Sequence, residues 1–189
     1  MNKWMYFLQA RILQMFNKYD RAIELFNLAL EADPNFALVS NCLGHLYASM
    51  KRLPEAEQYF KAALRIAPDA PGTYFNLGYV LEAERKFEEA ITSFESAVER
   101  SPKNDRAWYG MGLCHAEMGR HKEAAESLHK AALIQPLNPY PLYHLGMAYY
   151  TLGDRKKLDE VIAQLQGFDP KVTRKLIEDT KLPESEEAR

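Results

Sequence analysis

The chain has 189 residues, of which 47% are hydrophobic, enough for a core and too few for a membrane protein. Twenty-four Lys and Arg stand against 26 Asp and Glu, mixed evenly along the chain. The balance gives no basic tract for nucleic acid, and no run approaches the apolar length of a bilayer span.

The first predicted element is a helix over residues 3–17, apolar on several sides through Trp4, Met5, Tyr6, Phe7, Leu8, Ile12, Leu13, Met15 and Phe16. Gln9 and Arg11 interrupt the apolar run and no small-residue cleavage site follows, so it is a helix of the folded protein and not a signal peptide. A cytoplasmic location is the resulting expectation. Cys42 and Cys114 both fall in predicted helices and are expected as buried thiols.

The same pattern then recurs. Pro34, Pro68, Pro102, Pro136 and Pro170 are each 34 residues apart. Ala22, Ala56, Ala90 and Ala124 keep that interval, as do Ala29, Ala63, Ala97 and Ala131, and Ala10, Gly44, Gly78, Gly112 and Gly146. Phe26, Phe60, Phe94, Leu128 and Ile162 supply a large residue in each period. Small residues let helices approach closely, large ones fill the space between layers, and proline stops a helix because it lacks an N–H and clashes with the preceding turn. The period divides the chain into 3–36, 37–70, 71–104, 105–138 and 139–172. Each part is expected to hold two antiparallel helices. Their turns are expected at Asn17-Lys18, Lys51-Arg52, Glu84-Arg85, Gly119-Arg120 and Gly153-Asp154. Residues 171–181 read as one more helix, with Val172, Leu176 and Ile177 at helical spacing, which would cap the last apolar face. Residues 183–189 are expected to be a disordered tail.

The spacing resembles the tetratricopeptide repeat family over residues 3–172. Repeat three carries the resemblance best, in Tyr74, Leu77, Gly78, Leu81, Ala90, Phe94, Ala97 and Pro102, and repeat four keeps the family's tryptophan as Trp108. The resemblance implies an all-α, right-handed α-solenoid of helical hairpins whose first helices line a concave face. The ends depart from the pattern. Repeat five has Leu158 and Leu165 where earlier repeats have alanine, which is expected to shift its second helix. The apolar first helix would pair with another copy, be the cut edge of a longer chain, or contribute to the groove.

In the family the second, fifth, ninth and twelfth places of each repeat face the groove. Here the resulting candidates for partner binding are Trp4, Phe7, Asn41, His45, Phe75, Tyr79, Tyr109, Tyr140, Tyr143 and Met147. Tyr109, Tyr143 and Tyr150 have an equal reading as packing residues. The surface is aromatic and poor in charge, the composition of a protein-binding patch. Phe75, Tyr79, Tyr109, Tyr140 and Tyr143 are expected to form one strip. The family's carboxylate clamp of Lys, Asn and Arg is not matched, since only Asn41 and Arg11 are available. An asparagine ladder at the sixth place is not matched either: Leu8, Cys42, Asn76, Gly110 and His144 occupy it. What remains is apolar capture of a protein or peptide segment.

None of the five histidines, His45, His115, His121, His129 and His144, has an i, i+4 partner, and there is no Cys-x-x-Cys. No glycine-rich phosphate loop, Gly-x-Ser-x-Gly elbow or kinase signature occurs. The expectation is a non-catalytic adaptor with no cofactor and no metal, binding neither nucleic acid nor a membrane interior. Its alternative is a structural protein that assembles with itself through residues 3–17.

Overall fold

The structure, a computed structural model, describes residues 2–180. The expected tail at 183–189 lies outside them. Among the described residues there are eleven α-helices and no strand. The chain divides after Pro102 into two compact units. Unit one holds α1 (Lys3–Met15), α2 (Tyr19–Ala32), α3 (Ala37–Ser49), α4 (Leu53–Ile66), α5 (Pro71–Ala83) and α6 (Phe87–Arg100). Unit two holds α7 (Asp105–Glu117), α8 (His121–Ile134), α9 (Pro139–Thr151), α10 (Arg155–Gln166) and α11 (Pro170–Asp179).

The helices start where the chain supplies a cap. Asn2, Asn104, Asn138, Asp154 and Asp169 each accept a hydrogen bond from an otherwise orphaned backbone N–H of the first turn. Pro71, Pro139 and Pro170 open their helices, where a missing N–H costs nothing. Pro170 therefore begins α11, whereas Pro34, Pro68, Pro102 and Pro136 follow the ends of second helices.

All five hairpins turn the same way. Asn17, Lys51, Arg85, Gly119 and Gly153 sit at φ between 55° and 73°. The N–H of the next residue returns 2.9 Å to a carbonyl five back, as from Arg52 to Tyr47 and from Lys86 to Leu81. This Schellman closure satisfies the last carbonyls of the first helix. It also corrects the third turn: its left-handed residue is Arg85, in register with the others, so the turn is Arg85-Lys86 and not Glu84-Arg85.

Within the second, third and fourth hairpins a glycine of the first helix faces a large residue of the second. A Cβ on Gly44 would stand 2.7 Å from the Phe60 ring, one on Gly78 2.7 Å from Phe94, and one on Gly112 2.6 Å from Leu128. Phe26, Phe60, Phe94 and Leu128 are fully buried, each worth about 2–3 kcal/mol of transferred apolar surface. Ala22, Ala56, Ala90 and Ala124 are wholly inaccessible, as close helix approach requires.

The fifth hairpin is built differently. The register puts Ile162 opposite Gly146, but Ile162 is only partly buried, and the atoms 2.7 Å from a Cβ on Gly146 belong to Leu176 of α11. Leu158 and Leu165 are fully buried where other repeats have alanine, and Leu158 Cδ1 lies 3.4 Å from that Cβ. The second helix also ends early, at Gln166, two residues short of the register of the others.

Polar contacts stitch unit one together within and between hairpins. Lys3 Nζ lies 2.6 Å from Asp33 Oδ2. Lys86 Nζ lies 2.7 Å from Glu57 Oε2 and 2.9 Å from Glu84 Oε2, and Lys61 also pairs with Glu57. Partial burial pushes the Glu57 carboxyl up, but the hydrogen bonds from Lys61 and Lys86 outweigh it and hold the group down at about 2.

Candidate functional site: the first-helix faces of the two units

In unit one, α3 and α5 are tied side by side by two polar bonds. Thr73 Oγ1 donates to Asn41 Oδ1 at 3.1 Å, and Asn76 Nδ2 lies 2.8 Å from His45 Nε2. Burial lowers the His45 pKa, and the nearby Arg11 charge lowers it further. The neutral ring therefore accepts the Asn76 amide proton at Nε2. The same ring stands edge-on to Phe60 at 5.4 Å. Asn41 and His45, expected as ligand contacts, thus also join neighbouring repeats. Asn76 and Thr73 were absent from the expected contact set, and only their pairing partners one repeat away reveal them.

Beside this pair, Arg11, Gln14, Tyr19, Cys42, His45 and Ser49 line a hollow of about 460 Å³. Arg11 Nη1 donates to Gln14 Oε1 at 3.1 Å. Burial raises the Cys42 thiol pKa, against the opposing pull of Arg11, so the thiol stays protonated.

The aromatic candidates of unit one separate into packed and open. Phe75 is half-buried and leans on Phe94, with ring centroids 6.0 Å apart. Phe7 is half-buried among Trp4, Phe26 and Phe36 at 5.7–6.1 Å. Trp4 rests one edge on Phe36 at 4.7 Å and leaves the rest in solvent. Tyr79 is 55% exposed, a large aromatic held on the middle of a rigid helix.

Unit two shows the same division. Tyr140, at the start of α9, is 61% exposed. Met147 is half-buried against the core of α8–α11, and Tyr109 is half-buried, edge-on to His144 at 5.7 Å. Tyr143 is engaged by α11: its hydroxyl donates to Asp179 Oδ2 at 2.6 Å, and Lys175 Nζ lies 5.1 Å from its ring centroid. The bond to Asp179, helped by burial, pushes the Tyr143 hydroxyl up to about 12. His144 is lowered by burial and by Lys175. Sequence spacing carried no sign of the Asp179 contact, because α11 lies outside the period.

Cys42 and Cys114 are buried thiols with no disulfide. No cluster of three or more His, Cys, Asp or Glu side chains occurs among the described residues. None of the described helices is long and apolar enough to cross a membrane.

Models of the tetratricopeptide repeat match residues 5–36, 36–103 and 75–141. No curated protein sequence matches the chain. Among solved structures, MamA protein is 21% identical with a TM-score of 0.83, covering 96% of each chain. YrrB, a TPR protein with an unusual peptide-binding site, is 24% identical with a TM-score of 0.81, covering 92% of this chain and 90% of its own. MamA 41-end from Desulfovibrio magneticus RS-1 is 18% identical with a TM-score of 0.80, covering 95% and 97%. At these identities the likeness is one of fold: an all-α solenoid of helical hairpins.

Proposed function

Because the chain belongs to the tetratricopeptide repeat family, we propose that it is a non-catalytic scaffold that captures a partner protein segment on its first-helix faces. The observation that carries this reading is the exposure of Tyr79 and Tyr140. Both are large aromatics on rigid first helices, and solvent alone gives a helix no reason to place them there. A peptide-binding site in a similarly folded protein, YrrB, is consistent with this use of the fold. The segment would be apolar or aromatic in its anchors. On unit one, Asn41 and His45 would offer their remaining hydrogen-bonding capacity to its backbone, with Trp4, Phe7 and Phe75 as floor and margin for Tyr79; on unit two, Tyr109, Tyr143 and Met147 would serve Tyr140 in the same way. Few charges line these faces, so binding would depend shallowly on salt.

The test is affinity for a partner peptide isolated by proximity labelling and pull-down. Tyr79→Ala is expected to weaken binding by about 2 kcal/mol, near thirtyfold. Glu95→Ala, on the second helix α6, should leave it unchanged. Equal affinities for wild type and Tyr79→Ala, or a collapse of binding between low and moderate salt, would move the contact to the charged second helices. The alternative reading, a structural protein that assembles with itself, draws on a separate surface, the outward side of α1.

A further inference from the structure

In α5 the third and sixth places, Thr73 and Asn76, bond to the preceding hairpin, and the tenth lies one turn further along the same side. In α3 they are Val39, Cys42 and Leu46, all buried. In α1 the same places hold Met5, Leu8 and Ile12, and Met15 and Phe16 continue the line. These five side chains are 44–80% exposed. Their spacing of three, four and three residues from Met5 to Met15 is that of a coiled-coil seam. Helix α1 needs no partner to form, because its other side is already seated, with Ala10 fully buried and Phe7 against Phe26.

We propose that a second copy of this chain covers the stripe, α1 packing antiparallel on α1 in a head-to-head dimer. The proposal rests on the self-assembly reading and is independent of the first-helix faces. Two observations favour a second copy. The first is area. Side chains of roughly 200 Å² at these exposures present about 600 Å² per copy. Full coverage of both stripes would bury up to about 1,200 Å², which reaches the lower end of specific interfaces.

The second is charge. No acidic residue lies in α1, Lys3 is paired with Asp33, and Arg11 is turned to Gln14. A two-fold pairing places each surface against itself, which an uncharged stripe permits and a charged one forbids.

The experiment is sedimentation equilibrium of the full chain from low to high micromolar concentration. Wild type is expected to move from one to two chain masses. Ile12→Asp, which would bury a carboxylate in the seam, should weaken the dimer at least about a hundredfold and stay monomeric. If circular dichroism shows Ile12→Asp to be unfolded, Met15→Glu, at the exposed end of the helix, takes its place. Tyr79→Ala should dimerise like wild type, so loss of peptide capture and loss of the dimer are read separately. A wild-type monomer at every concentration overturns the proposal, and so does a monomer whose stripe instead takes a helix of another protein. A dimer that survives both substitutions, or that Tyr79→Ala dissolves, also overturns it.

Discussion

Hairpins α5–α6 and α9–α10 begin from the same pattern and end in different packing. In both, a glycine in the middle of the first helix marks the point of closest approach. In the first, Gly78 meets Phe94 from its own second helix. In the second, Gly146 meets Leu176 from α11, thirty residues on and outside the repeat. Leu158 and Leu165 stand fully buried where α5–α6 has Ala90 and Ala97, so larger side chains fill the core of this hairpin. Helix α11 supplies the filler opposite Gly146 and packs on both α9 and α10.

The largest expected effect tests which residue fills the fifth hairpin. Leu176→Ala should lose about 2–5 kcal/mol in denaturant unfolding, because a fully buried leucine leaves a cavity. Ile162→Ala, the residue that the period puts in that place, should lose under about 1 kcal/mol, in keeping with its partial exposure. A reversal of that order would restore the regular hairpin and break the comparison.

A smaller difference is expected at the glycines. In Gly78→Ala the new methyl meets ring carbons of Phe94, a stiff side chain locked in the core, and should lose about 1–3 kcal/mol. In Gly146→Ala it meets chiefly the methyl ends of Leu176 on a single terminal helix that can give way, and should lose about 1 kcal/mol or less. Equal losses would mean that α11 is held as rigidly as α6.

The smallest expected effect separates the two regions by pH. The Glu57 carboxyl is held at about 2 against an ordinary value of 4.5. Its contribution is therefore present above pH 4.5 and lost as pH falls towards 2. The Tyr143 hydroxyl is raised to about 12 from 10, so its bond to Asp179 contributes fully below pH 10 and is lost as pH rises through 12. Hydrogen exchange should show α4–α6 loosening first in acid and α9–α11 first in alkali. Glu57→Gln should remove the acid response of α4–α6, and Tyr143→Phe the alkaline response of α9–α11.

Amino-acid order alone determined the helices, the five turns to within one residue and the shared 34-residue register, because each depends on neighbours within a few residues or one period. Gly44, Ala56, Phe60 and Pro68 announce their hairpin by residue type and spacing, since small residues permit the approach and proline cannot continue the helix. The misplaced turn at Glu84-Arg85 shows that residue type marks such a turn weakly where glycine is absent; the register places it, since Arg85 stands 34 residues after Lys51. Tertiary structure alone decided that Leu176 displaces Ile162, that Tyr143 is bound to Asp179, and that Asn41 and His45 are joined to Thr73 and Asn76. In each case several side chains of suitable size or polarity compete for one place. The choice is made by which of them the packed helices bring within reach, and that distance is not a function of separation along the chain.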